Sequence, residues 1–151
     1  MKKLLLFIWI AMVIYSCSPS VNVKSQTGLK GSWEITDVKY VNASGLKIEV
    51  FDLADAMCFD GSTWNFISNN NRGSFSIMED GGCKAGAYNI SWFVSPQNEF
   101  KFKYIDGVKA KTVTDGYSLN LINQTENSFQ LEQNIPFEGK FIQVIYTFSK
   151  K

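Results

Sequence analysis

From position 31 onwards, apolar and polar residues alternate in short segments that are separated by turn residues. The clearest segment places Phe100, Phe102 and Tyr104 on one face and charged side chains on the other. Alternation with a period of two indicates half-buried strands, and such close spacing of turns is typical of a sandwich or barrel. We predict eight strands, near residues 32–41, 64–66, 74–77, 88–94, 99–104, 117–121, 129–132 and 140–149.

Eight sequential strands with mostly short connections predict an all-β fold, an eight-stranded antiparallel up-and-down β-barrel, because closing the sheet leaves no edge exposed. Residues 49–58 are largely apolar without alternation and predict a short helix between the first two strands. The last strand is apolar on both faces, so its alternation leaves open which face points inward.

The turn between the second and third strands sets an expected register. The asparagine run at 69–71 favours a tight hairpin, because Asn tolerates positive φ. A turn centred there pairs Phe66 with Phe75 and Trp64 with Ile77, apolar on apolar. The same register brings positions 58 and 83 opposite each other at the open end of the hairpin.

The N-terminus has the pattern of a secretory signal peptide: Lys2 and Lys3, then an apolar stretch that ends just before Cys17. That stretch of about twelve residues is shorter than the ~20 that a membrane span needs. We expect residues 1–16 to be a signal segment, residues 17–30 a polar and flexible tether, and residues 31–151 the barrel domain. Removing Lys2 and Lys3 leaves thirteen basic against fourteen acidic residues, a balance that does not favour nucleic-acid binding.

Cys58 and Cys83 are the two cysteines of the expected barrel domain. An exported chain meets an oxidising compartment, which favours a disulfide between them. Metal binding is the alternative, but the chain has no histidine and no closely spaced cysteine pair, so a zinc site is disfavoured. Without histidine, the usual general base and the usual nucleophile-activating partner are missing. We therefore expect no catalytic residues, no metal, no cofactor and no enzymatic activity.

Two parts of the chain resemble known families. The segment that ends Ile-Tyr-Ser-Cys17 resembles a bacterial lipobox, which implies S-acylation of Cys17 as the first residue of the mature protein. Gly31-Ser32-Trp33 resembles the G-x-W opening of lipocalins. The stretch from Leu29 to Lys150 is similar to the lipocalin-like (calycin-like) domain of Gram-negative lipoproteins; the residues that carry this likeness are the run 58–66, the turn 69–73, Cys83, Ile90-Ser91-Trp92 and Tyr146-Thr147-Phe148.

The resemblance implies an eight-stranded calyx and an apolar ligand. One departure concerns the last strand, which lacks the arginine that lipocalins pack over the first tryptophan; Arg72 is the only arginine in the chain. The expected inward aromatic residues are candidates for ligand binding, but so many rings could equally fill the barrel, since eight strands leave room for side chains or for one small ligand. The candidates are Trp33, Trp64, Phe66, Tyr88, Trp92, Phe102, Tyr104 and Tyr117.

We therefore expect a monomeric lipoprotein, held through Cys17 on the periplasmic face of the outer membrane, that binds a small hydrophobic ligand. The alternative is a protein–protein interaction module, such as an envelope inhibitor or an accessory subunit, whose filled barrel is only a scaffold.

Overall fold

The computed structural model describes residues 21–151, so the predicted signal segment 1–16 and the predicted acylation site Cys17 lie outside the described residues. Helix α1 spans Val21–Gly28, and 3₁₀ turns span Ala56–Phe59 and Ala110–Thr112. The strands are β1 (Gly31–Val41), β2 (Glu49–Val50), β3 (Ala54–Asp55), β4 (Thr63–Ile67), β5 (Arg72–Ile77), β6 (Gly86–Val94), β7 (Glu99–Tyr104), β8 (Tyr117–Ile122), β9 (Ser128–Phe137) and β10 (Lys140–Lys150).

Eight of these strands form a closed antiparallel barrel in the order β1-β10-β9-β8-β7-β6-β5-β4. β1 closes it by pairing with β10 over most of its length and with β4 over Gly31 to Glu34. Every other barrel strand pairs with its sequence neighbours, which confirms the predicted up-and-down topology. The physical reason is that a closed wall buries one face of every strand and also leaves no strand edge exposed.

The predicted register of the β4–β5 hairpin is wrong by two residues. Trp64 lies opposite Phe75, and Phe66 lies opposite Gly73. The loop contains the four residues 68–71, with Asn71 at φ 55°. A Cβ atom at Gly73 would lie 3.2 Å from Cδ1 of Trp92, so a glycine opposite Phe66 leaves room for that indole. The shift is even, so each side chain keeps the face that alternation predicts.

The connection between β1 and β4 contains less helix than predicted. Residues 49–55 form a two-stranded hairpin, with Glu49 opposite Asp55 and Val50 opposite Ala54. The helical part is the single 3₁₀ turn Ala56–Phe59, whose N-cap Asp55 accepts a hydrogen bond from the Met57 amide at 2.9 Å. A short apolar run without alternation does not by itself separate a helix from an irregular hairpin.

The expected flexible tether, residues 17–30, is partly helical. α1 crosses the end of the barrel where β1 begins, which we call the capped end. Oε1 of Gln26 accepts a hydrogen bond from the Val94 amide at 3.1 Å, and the Ser25 carbonyl accepts one from Nε2 of Gln124 at 2.9 Å. Leu29 is fully buried behind the helix. Polar contacts to neighbouring turns hold this helix, so the sequence carries no apolar stripe that would indicate it. Within residues 21–151, no helix has the length and apolar character needed to cross the bilayer.

The structure shows which of the two apolar faces of the last strand points inward. In β10, Val144, Tyr146 and Phe148 point inward and are at most 2% exposed, whereas Phe141 is 77% exposed. β10 lies between β1 and β9, and it pairs with both along most of its length. Its outer face is half-buried at Ile145.

Candidate functional site

The end of the barrel opposite the capped end is called the mouth here; the β1–β4, β5–β6, β7–β8 and β9–β10 connections lie there. The side chain of Phe51, in the β1–β4 connection, enters the barrel through the mouth. Its ring centroid lies 5.1 Å from that of Phe102, 5.3 Å from those of Phe59 and Tyr117, and 5.9 Å from that of Tyr146. These are the separations at which aromatic pairs attract. Phe51 is 5% exposed, so the connection inserts one of its own rings among the rings of the barrel.

The backbone that carries this ring has an unusual conformation. Phe51 and Asp52 have φ values of 56° and 49°, and the amide of Leu53 donates to the carbonyl of Val50 at 3.1 Å. Two consecutive positive φ values are the pattern of a type I′ turn, in which Asn and Gly are the usual residues. A side chain in the left-handed region costs about 1–2 kcal/mol per residue. We call this segment the 51–52 turn. Its contacts with the mouth stabilise it and offset the conformational cost of its two left-handed residues.

Two tyrosine hydroxyls hold the 51–52 turn in place. Oη of Tyr104 donates to the carbonyl oxygen of Phe51 at 3.2 Å, and Oη of Tyr117 donates to Oδ2 of Asp52 at 2.8 Å. Burial raises the pKa of Tyr104 well above its ordinary value, and the neighbouring phenols and carboxylates raise it further. The pKa of Tyr117 is raised first by burial and then by its bond to Asp52. Both hydroxyls therefore stay protonated, and they act as donors at neutral pH.

A disulfide between Cys58 and Cys83 ties the end of this segment to the β5–β6 connection, with Cα atoms 5.5 Å apart. The sequence-based prediction of this bond is confirmed. It forms although the hairpin register is shifted, because Cys58 lies in the 3₁₀ turn and Cys83 in the isolated bridge with Asp80, both outside the β4–β5 pairing. Next to Cys58, the ring of Phe59 is fully buried.

The predicted ligand-binding residues fall into two groups. Trp33, Trp64, Phe66, Trp92 and Phe102 are at most 3% exposed. Neighbouring rings fill the space between them: Phe75 stacks on Trp64 at 4.2 Å, and Phe129 lies 4.8 Å from Trp33. Trp33 and Trp92 belong to the capped end, where the indole of Trp33 donates to the Leu29 carbonyl at 2.8 Å.

The second group is at the mouth. Tyr88, Tyr104 and Tyr117 are half-buried. The ring of Tyr104 lies 5.9 Å from Tyr88 and 5.8 Å from Tyr117, and the ring of Phe102 lies 5.1 Å from Tyr117. These four residues of the predicted set form one continuous aromatic surface, and the 51–52 turn covers part of it.

Sequence reasoning missed three residues of this site, Phe51, Phe59 and Tyr146. Phe51 and Phe59 lie in or beside the segment that the sequence predicts to be a helix, so no strand face was assigned to them. Tyr146 lies on the strand whose two faces are both apolar. A usable signal existed for Phe51, since a large apolar residue in a connection that a disulfide tethers is a candidate for insertion into the barrel.

The three aspartates of the β1–β4 connection, Asp52, Asp55 and Asp60, are an acid/base or calcium candidate by residue type. Asp52 accepts from Tyr117, and Asp55 caps the 3₁₀ turn. In the part of the chain that the structure describes, no group of three or more Asp, Glu, Cys or His side chains is arranged to hold a metal ion. Structural hydrogen bonds thus engage Asp52 and Oδ1 of Asp55, whereas Oδ2 of Asp55 is buried without a hydrogen-bond partner.

On the last strand, which contains no arginine, a lysine lies beside the first tryptophan of the barrel. Lys150 of β10 lies opposite Trp33 of β1, and its Nζ is 5.6 Å from the centroid of the indole. This distance is within the range of a cation–π interaction, worth about 0.5–1 kcal/mol at an exposed site.

No protein-family model matches the chain, and comparison with curated proteins gives no match. Similar solved structures include a deswapped triple mutant of the bovine odorant-binding protein, with 12% identity, a TM-score of 0.46, and coverage of 82% of this chain and 74% of that one. The bovine odorant-binding protein complexed with its natural ligand has 9% identity and a TM-score of 0.47, over 89% and 75% of the two chains. Lobster apocrustacyanin A1 has 12% identity and a TM-score of 0.44, over 89% and 71%.

Proposed function

We propose that the protein is a non-enzymatic binding protein that holds a small hydrophobic ligand at the mouth, in the space that the ring of Phe51 occupies. The observation that carries this proposal is the position of Phe51. Its ring belongs to a connection rather than to the barrel wall, yet it is packed like a core residue. It thus occupies the place of a bound aromatic group.

Two features support exchange between this ring and a ligand. The left-handed conformation at Phe51 and Asp52 lowers the cost of withdrawing the turn by about 1–2 kcal/mol per residue, because the strain is then released. The disulfide at Cys58 keeps the segment at the rim after it withdraws. The deeper rings, at most 3% exposed, form the floor of the site rather than its lining.

We further propose that Cys17 is acylated and anchors a monomer to the outer membrane, on its periplasmic face. The support is the sequence pattern around Cys17. A hydrophobic ligand is sparingly soluble in water, and a binding protein held beside a bilayer is well placed to exchange it.

The test uses the full chain, whose residues 21–151 close the barrel and bury its core. The oxidised protein is titrated with N-phenyl-1-naphthylamine, a neutral dye that fluoresces in apolar surroundings. Phe51→Gly removes the ring and suits the positive φ, so it leaves the fold least disturbed. We expect it to bind the dye about 10-fold more tightly than the parent, since the dye no longer competes with the internal ring; this is ~1.4 kcal/mol.

Phe93→Ala is the matched control, because it removes a 45% exposed phenyl ring from the outer wall. It should leave dye affinity unchanged. Absence of dye binding in both the parent and the Phe51→Gly protein would overturn the proposal. Equal affinity in both would place the dye elsewhere and would overturn the mouth as the site.

A second function, a protein–protein interaction module, has its own supporting observation. Four large apolar side chains, each on a different connection of the mouth or at its edge, are 44–77% exposed: Met57, Met78, Val108 and Phe141. Exposed apolar residues clustered at one end are typical of an interaction surface. A stoichiometric partner from envelope extract that is lost in Met78→Ser and Phe141→Ser, but retained in Phe51→Gly, would favour this function.

A further inference from the structure

The 51–52 turn offers the mouth a particular combination of groups. It presents a phenyl ring to the aromatic cluster, a carbonyl oxygen to the hydroxyl of Tyr104 and a carboxylate oxygen to the hydroxyl of Tyr117. Each of these contacts is made by a residue of the barrel wall to a residue outside it. The wall therefore accommodates a flat apolar ring with oxygen acceptors a few bonds away.

We infer that the natural ligand is an aromatic carboxylate, a flat apolar ring system that carries a carboxyl group, and that residues 51–52 imitate it in the free protein. This inference rests on the proposed function and deepens it. The ring of the ligand replaces Phe51 between Phe102, Tyr117 and Tyr146, and its carboxylate accepts from Tyr104 and Tyr117 in place of the turn.

The hydroxyls of Tyr104 and Tyr117 favour a ligand with oxygen acceptors, because each hydroxyl loses its acceptor when the 51–52 turn withdraws. A donor that is shielded from water and left without an acceptor costs about 1–3 kcal/mol. Tyr104 and Tyr117 would each lose an acceptor, and the cost falls mainly on Tyr104, because its bond to the carbonyl of Phe51 is part-buried whereas the bond of Tyr117 to Asp52 is exposed to water. A ligand with two acceptor oxygens restores both bonds, whereas a plain hydrocarbon restores neither. A charged acceptor makes the stronger bond, and the acceptor that it replaces on Tyr117 is itself a carboxylate.

The charges around the mouth are compatible with an anion. Withdrawal of the turn removes the carboxylate of Asp52 from the site, so the incoming carboxylate replaces a charge rather than adding one. Oδ1 of Asp106 already accepts two hydrogen bonds from Asn89, at 3.0 and 2.9 Å. The segment 103–115, which borders the tyrosines, contains three lysines and two aspartates.

The experiment measures displacement of N-phenyl-1-naphthylamine from the Phe51→Gly protein by two compounds of similar size, 2-naphthoate and 2-ethylnaphthalene. Only the first carries acceptor oxygens. We expect 2-naphthoate to displace the dye at a concentration about 10-fold lower than 2-ethylnaphthalene. Adding Tyr104→Phe and Tyr117→Phe, which remove the hydroxyls and keep the rings, should abolish the difference.

Tyr40→Phe is the matched control, because Tyr40 lies on β1, outside the aromatic surface of the mouth, and its hydroxyl does not donate to the 51–52 turn. It should keep the preference for 2-naphthoate. Equal displacement by the two compounds would overturn the inference and leave the proposed function intact. A preference that survives loss of both hydroxyls would overturn the role of the tyrosines. Failure of the dye itself to bind would overturn the proposed function and, with it, this inference.

Discussion

At the scale of single residues, the buried phenols are the side chains whose ionisation the fold changes most. Burial raises the pKa of Tyr104, Tyr117 and Tyr146 above the ordinary value of 10.0. Nearby acidic groups act in the same direction: Asp52 on Tyr104 and Tyr117, and Asp55 on Tyr146. The neutral phenol is therefore the form that suits the folded barrel.

This leads to a prediction about alkaline pH. The unfolded chain releases its phenolic protons near pH 10, whereas the folded chain retains them to higher pH, so the folded form binds more protons above pH 10. The stability from these tyrosines is fully present below pH 10 and is lost as the pH rises through the folded pKa values. We expect phenolate absorbance from these three residues to appear together with the loss of β-sheet circular dichroism. Reversible ionisation of every phenol near pH 10 with the barrel intact would contradict the raised pKa values.

At the scale of elements, α1 and the β1–β4 connection close the two ends of the barrel by different means. The connection inserts aromatic rings, whereas α1 relies on hydrogen bonds and on one apolar side chain, that of Leu29. Within residues 22–30, which precede β1, Leu29 therefore provides the buried apolar side chain at the capped end.

Leu29→Ala tests whether this cap is part of the folded unit. Leu29 is fully buried, and truncating a buried leucine costs about 2–5 kcal/mol. We expect a loss of that size in the free energy of unfolding, measured by urea denaturation of the oxidised protein.

Val23→Ala is the matched control, because Val23 lies on the same helix and is 49% exposed. It should change stability by less than about 0.5 kcal/mol. Equal effects of the two substitutions would mean that α1 and Leu29 do not cap the barrel in solution.

At the scale of the whole molecule, the chain enters the fold at the capped end and carries its candidate site at the mouth. Three residues, 18–20, separate Cys17 from α1. A chain spans at most ~3.5 Å per residue, so Cys17 lies within roughly 14 Å of Val21. If Cys17 is acylated as proposed, the capped end faces the bilayer and the mouth faces away from it.

Two labelling positions test this orientation. Val23, at the capped end, and Val108, at the mouth, have matched exposures of 49% and 52%. Each is changed to cysteine in the full chain, labelled with a fluorophore and reconstituted in vesicles that contain a nitroxide lipid. We expect strong quenching at position 23 and weak quenching at 108, and loss of vesicle binding in Cys17→Ser. Stronger quenching at 108 would reverse the proposed orientation.

Much of the fold follows from local patterns in the sequence. Alternation identified the barrel strands and the inward faces of six of them, and the turn residues marked most connections. The two-residue error at the β4–β5 hairpin kept these faces correct, since side chains repeat with a period of two. The disulfide followed from the number of cysteines and the oxidising compartment. The candidate site was only partly predictable, because Phe102, Tyr104 and Tyr117 lie on patterned strands and Phe51 does not.

What the sequence by itself determined is the all-β barrel and the pairing of Cys58 with Cys83, because each depends on periodicity or on a count of residues. Only the tertiary structure decided that Phe51 fills the mouth and that α1 closes the other end. Both depend on contacts between distant segments: the left-handed turn at 51–52 opposes local preference, and the bonds of Gln26 join α1 to β6. A contact of this kind leaves no periodic trace in the chain, since its energy belongs to two segments at once.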